Sequence, residues 1–198
     1  KFGNNLLAET NAFKLVLETE EDLVGLPEAV RTAAAEAAKA EGLEGKWVIG
    51  LQNPSRIPFL QYSERRDLRE KVYKAYIERG NNGNENDNKE IVLQIMKLRI
   101  EKANLLGFET SADFILDDTM AKKSDVVNSF LLDIFKAANE KAKAELAEMQ
   151  AIADREGNGV KVEAWDWDYY TEKVRQEKYA MSEDEIKPYF QMENVRAG

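Results

Sequence analysis

Hydrophobic and polar positions change period several times along this chain. Phe13, Leu15 and Leu17 share one side of an alternating run, and Trp47, Ile49 and Leu51 do the same around Val48 and Gly50. A period of two is the strand signal, so residues 13–18 and 46–52 are expected to pair as one small two-stranded β-ribbon. Elsewhere the spacing is three and four, the signature of an amphipathic helix. Phe2, Leu6 and Leu7 suit a short opening helix, and the alanine-rich run 28–41 favours another. Leu68, Val72, Tyr73, Tyr76 and Ile77 form a stripe between Ser63 and Arg79. Ile91, Ile95, Leu98 and Lys102 form a row that stops at Gly107, where a C-terminal cap belongs. The longest pattern begins at Ser124 and runs to about Asp154, with Val127, Leu131, Phe135, Ala138, Ala142, Leu146, Met149 and Ile152 on one stripe.

Turn chemistry separates these segments. Asn53 and Pro54 read as a turn that ends the second strand. Residues 80–88 alternate Asn with Gly, Glu and Asp and read as a loop. Asp166 suits the N-cap of a helix carrying Tyr170, Val174 and Glu177, since its carboxylate can accept from first-turn N–H groups. Ser182 and Glu185 fit a capping box for a further short helix, which Pro188 breaks or kinks. No low-complexity linker and no fixed-period repeat interrupts the chain. The expectation is a mainly α chain, 1–198, reading as a single helical segment.

Composition narrows the chemistry. The chain has 198 residues, 43% of them hydrophobic, and a formal charge of −9. That acidity argues against a phosphate-binding face, so no nucleic-acid partner is expected. Neither His nor Cys occurs. Catalytic triads, thiolate chemistry and HExxH or Cys-ligated zinc therefore cannot be assembled from these residues. The carboxylate clusters at 20–22, 117–118, 166–168 and 183–185 read as helix starts and solvated faces. The 81–88 loop lacks the spacing of a calcium loop. Arg65, Arg66, Arg69, Lys71, Lys74 and Arg79 alternate with acidic residues and read as a salt-bridged, solvated helix face. No apolar run approaches the roughly 20 residues of a bilayer span, so no membrane partner is expected. Lys1 and Gly198 both look like cut ends, suggesting a fragment.

Several motifs then occur in one order. They are WVIGLQNP at 47–54, RDLREKVYKA at 66–75, NDNKEIV at 86–92 and LRIEKANLLGF at 98–108. ADF at 112–114, MAK at 120–122, WDWDYY at 165–170 and KPYF at 187–190 complete the series. Together they resemble the thimet oligopeptidase family of zinc peptidases, with WDWDYY most similar to the bacterial peptidyl-dipeptidases. Lys123, Ser124 and Asp125 depart from the Thr-Pro-Glu more usual in that family.

The resemblance implies a two-lobed, mainly helical peptidase whose channel admits short peptides and whose Zn2+ is held by HExxH downstream of this segment. Residues 1–198 would be part of the N-terminal lobe, with 164–198 leading into the catalytic core. No catalytic or metal-binding residue is assigned here, and no cofactor is expected in this segment. Trp167, Tyr169, Tyr170 and Tyr189 are the substrate-channel candidates, although core packing competes for most of them. The implied partners are the catalytic lobe of the same chain and short peptide substrates. The implied compartment is the cytoplasm, or the periplasm if the full-length protein carries a signal peptide. An exposed apolar patch is expected around Trp165, Tyr169, Tyr189 and Phe190.

Overall fold

The computed structural model describes residues 1–157, 159–179, 187–190 and 192–197. The chain divides into two compact units. The first comprises Lys1–Leu15, Gly50–Gln52 and Lys74–Glu145. The second comprises Val16–Ile49, Asn53–Tyr73 and Leu146–Gly198.

The first unit opens with α1 (Phe2–Ala12) and contains α5 (Lys89–Leu105), α6 (Ser111–Leu116) and the beginning of α7 (Ser124–Arg155). The expected 80–88 loop is present, and side chains anchor it to α1. Asn5 Nδ2 donates to Asn88 Oδ1 at 3.0 Å, and Asn88 Nδ2 donates to the Phe2 carbonyl at 3.2 Å. Gly107, at φ 83°, closes α5 in the left-handed conformation a C-terminal cap requires. Thr110 caps α6 by accepting from the Asp113 N–H at 3.1 Å, and Phe114 meets Phe108 edge-on at 5.5 Å. Little of α5 is covered: Ala103 is its one buried residue.

The second unit holds the only sheet among the described residues. Strand β1 (Leu15–Leu17), which begins at the unit boundary, pairs with β2 (Trp47–Ile49). Both strands are shorter than the alternation suggested, and β1 starts late because α1 runs to Ala12 and Phe13 serves as its C-cap. Helix α2 (Glu28–Ala40) lies against β2 and buries Ala34 and Ala38. The turn expected at Asn53 and Pro54 is instead the start of α3 (Asn53–Tyr62). Proline fits a first helical turn, and Pro58, inside the helix, removes one hydrogen bond. Burial of Phe59 and Leu60 against the rest of the unit outweighs that loss. Helix α4 (Arg66–Ile77) follows, its start marked by the Arg65 N–H donating to the buried Ser63 Oγ at 3.3 Å. Gly25, at φ 84°, is required where it stands, since a Cβ there would lie 2.3 Å from the Tyr62 carbonyl oxygen.

A compact core closes this unit. The end of α7 contributes Met149, Ile152 and Ala153, the following segment Val162, and α8 (Trp167–Tyr179) Tyr169 and Tyr170. A 3-10 turn, Ala164–Asp166, leads into α8, and another, Lys187–Phe190, precedes the short helix α9 (Met192–Ala197). The capping box at Ser182 and Glu185 lies outside the described residues. The long stripe of α7 is only partly covered. Leu131 and Phe135 stay more than half exposed, and the buried residues of the helix are Met149, Ile152 and Ala153.

Candidate functional site

The segment 163–179 carries most of the aromatic candidates, and one carboxylate fixes its start. Asp166 does not cap α8 from outside, as its position ahead of Trp167 suggested. It is the last residue of the 3-10 turn, fully buried, and accepts from the Glu163 N–H at 3.1 Å. Two guanidinium groups of α4 neutralise it. Arg66 Nε reaches both carboxylate oxygens at 3.1 and 3.0 Å, and its Nη2 reaches Oδ2 at 2.8 Å. Arg69 Nη2 donates to Oδ1 at 2.7 Å, while Nη1 donates to the Ser63 carbonyl at 2.6 Å. The hydrogen bonds to Asp166 hold the Arg66 pKa above its ordinary value against the effect of burial.

The same two arginines orient aromatic rings. Arg69 sits 4.1 Å from the centroid of Tyr169 and Arg66 sits 5.4 Å from that of Trp165. Cations over aromatic faces are attracted by the ring quadrupole. Tyr169 meets Tyr170 edge-on at 5.2 Å. The Tyr170 hydroxyl lies 3.3 Å from Glu156 Oε2, and Lys173 bridges Glu156 while its Nζ lies 4.6 Å from the Tyr169 centroid. Burial raises the Tyr170 pKa, and the Glu156 charge adds to it. Burial alone would lower Lys173; Glu156 and Tyr169 outweigh it and raise the pKa.

A second carboxylate links α8 to α3. Glu172, 4% exposed, accepts from Gln61 Nε2 at 2.9 Å, from Arg175 Nε and Nη2 at 2.8 Å, and from Gln176 Nε2 at 2.8 Å. Burial pulls its pKa up, but these donors hold it below the usual glutamate value.

The four channel candidates therefore separate. Tyr169 and Tyr170 are core residues, 9% and 3% exposed. Trp167 is 38% exposed and Tyr189 76%. The apolar patch expected around Trp165, Tyr169, Tyr189 and Phe190 does not form as one surface, because Tyr169 is buried and Trp165 half-buried. Pattern reading gave Asp166 a cap and placed Arg66 and Arg69 on a solvated, salt-bridged face; instead Arg69 is buried, 2% exposed, and both arginines pair with Asp166. A signal was available, since Arg66 and Arg69 are three apart on one helix and share a face.

The arrangement ties α4 to the 163–166 turn that leads into α8, through side-chain hydrogen bonds. Both Asp166 oxygens accept hydrogen bonds from the two guanidiniums. Among the described residues no group of three His, Cys, Asp or Glu is placed to hold a metal ion. With no His or Cys in the sequence, the donor set does not fit a zinc site.

The profile of Peptidase family M3 matches residues 59–198. The dipeptidyl carboxypeptidase of Escherichia coli (strain K12) is 36% identical over 195 residues, covering 98% of this chain and 29% of that protein. The dipeptidyl carboxypeptidase of Salmonella typhimurium is 38% identical over 195 residues, with the same coverage. Oligopeptidase A of Haemophilus influenzae is 35% identical over 202 residues, covering all of this chain and 30% of that protein. The chain thus spans less than a third of the length of these relatives. The match extends across the arrangement just described, from α3 through α8, and the chain belongs to peptidase family M3.

Proposed function

We propose that this chain is a non-catalytic wall segment of a zinc-dependent peptidyl-dipeptidase that releases dipeptides from the C-termini of short peptides. The observation that carries the reading is the identity to dipeptidyl carboxypeptidases across 98% of the chain. The zinc ligands and general base would lie on the remainder of a longer polypeptide, since the residues here offer no fitting donor set. The physical role of the wall is to admit extended peptides and hold the scissile bond in place. Of the four candidates, Trp167 and Tyr189 are accessible for that role, while Tyr169 and Tyr170 are buried in the core. Exposed apolar faces on α5 and on the first part of α7 are where we place the contact with the catalytic lobe. The compartment would be cytoplasmic, or periplasmic given a signal peptide. Among the described residues no helix is long and apolar enough to cross a membrane.

A second reading, an oligopeptidase that cuts internally, is favoured by the nearly equal identity to oligopeptidase A. One assay separates the two. Full-length protein is given an N-blocked tetrapeptide with a free or an amidated C-terminus, with and without a chelator. A peptidyl-dipeptidase releases the C-terminal dipeptide from the free acid only and stops with the chelator. Equal cleavage of the amide supports the internal cutter, and chelator-resistant turnover or single amino acids as first product overturns both. Trp167→Ala is expected to raise KM with folding intact; unchanged kinetics would remove Trp167 from the wall.

A further inference from the structure

We propose that Asn82 is a self-modification site, and that its conversion to an acid releases the 80–88 loop from α1. Asn82 is exposed and precedes Gly83. A Cβ built on Gly83 would meet no heavy atom within 4 Å, so no side chain crowds this residue, and its N–H donates to Asp87 Oδ2 at 2.8 Å. The other asparagines of the loop, Asn81, Asn84, Asn86 and Asn88, precede Asn82, Glu85, Asp87 and Lys89, whose side chains flank the corresponding nitrogen. Asparagine is among the thermolabile residues, and glycine at the next position removes the main obstacle to ring closure.

The step balances without an oxidant or a cofactor. The Gly83 N–H leaves Asp87 Oδ2, its proton passes to hydroxide, and the nitrogen attacks the side-chain carbonyl carbon of Asn82. The side-chain amide nitrogen leaves as ammonia. Water then opens the cyclic imide at either carbonyl and gives aspartate or its β-linked isomer. One water is consumed and one ammonia is released.

Glu9 gives this change a structural consequence. The Glu9 side chain of α1, 8% exposed, accepts from the Gly80 N–H at 2.5 Å, Asn82 Nδ2 at 2.9 Å and Asn84 Nδ2 at 2.8 Å. These contacts clamp both ends of the Asn82 turn. Burial pulls the Glu9 pKa up, and the three donors hold it below its usual value. Conversion replaces the Asn82 donor with a second carboxylate facing Glu9, so an attractive contact becomes a repulsive one. The change cannot reverse, and it marks the age of the molecule as a charge.

Site-resolved mass mapping of the purified chain, held at mildly alkaline pH, tests the chemistry. Asn82 is expected to convert ahead of Asn81, Asn84 and Asn86, faster as pH rises, and Asn82→Gln is expected to stop it. Conversion no faster than at those neighbours overturns the proposal. Hydrogen exchange tests the consequence. In Asn82→Asp, amides of 80–88 and of α1 are expected to exchange at least tenfold faster, the scale of losing one hydrogen bond to a charged group. Adding Glu9→Gln is expected to recover much of that loss by removing the facing charge. Wild-type exchange in Asn82→Asp, or no recovery with Glu9→Gln, overturns the release.

Discussion

The two ends of α7 carry the same kind of sequence and meet opposite surroundings. At about 1.5 Å per residue, its 32 residues extend about 48 Å. Its first turns present Val126, Phe130, Leu131, Leu132, Ile134 and Phe135, each more than half exposed. Its last turns present Met149, Ile152 and Ala153, all buried against Val162, Tyr169 and Tyr170. The difference lies in neighbours, not in periodicity. Spacing says which face of a helix is apolar; it does not say what covers that face, or whether the same chain does.

The largest expected effect targets what holds the covered end together. Asp166→Ala leaves Arg69 buried with its charge uncompensated, and breaking a buried pair costs about 3–5 kcal/mol. Chemical denaturation of the chain measures it. The loss should register in the second unit, with exchange of α5 amides unchanged. A loss below about 1 kcal/mol, the range of exposed pairs, would mean the pairing of Asp166 with Arg66 and Arg69 does not organise the 163–179 segment.

Ile152→Ala comes next. Truncating a buried isoleucine costs about 2–5 kcal/mol through lost transfer energy and the cavity left behind. Denaturation midpoints check it, with Tyr170→Phe as a milder companion that removes only the hydroxyl beside Glu156.

These variants also show what was legible in the sequence. The mainly helical class, the single small ribbon, the 80–88 loop and the Gly107 cap all follow from local rules, and the structure has each of them. Helix α3 was not legible, because Pro54 and Pro58 signal a break locally and burial of Phe59 and Leu60 overrides that signal. Asp166 was misread for a related reason. A cap and a buried ion-pair partner use the same short acidic side chain, and only the arrival of Arg66 and Arg69 from about a hundred positions away separates them. Trp167 stood out as a candidate by type, but its exposure beside a buried Tyr169 depends on the rotation of α8.

Acid should weaken the second unit through Glu172. Its folded-state pKa lies below the unfolded value, because Arg175, Gln176 and Gln61 outweigh the effect of burial. A depressed carboxylate contributes stability that is present above the unfolded pKa and is lost as pH falls through the folded one. Stability measured from neutral pH downward should fall below the usual glutamate range, and Glu172→Gln should flatten part of that fall. Identical curves for the two proteins would assign the acid sensitivity elsewhere.

The smallest expected effect lies at the uncovered end of α7. Phe130 is 63% exposed, so Phe130→Ala removes a ring that mostly faces water. Substitutions away from packed or paired groups usually stay within about 0.5 kcal/mol. The variant should therefore unfold with the wild-type chain, while Ile152→Ala, on the same helix, unfolds far earlier. A large apolar side chain in water still favours association, so Phe130→Ala should also reduce self-association at high concentration, read by sedimentation. On the proposed wall reading, the same substitution in a longer polypeptide should become costly if a catalytic lobe covers this face, and stay neutral if it does not. If Phe130→Ala destabilises the 198-residue chain as much as Ile152→Ala, the first turns of α7 are packed within the chain itself, and the contrast between its two ends fails.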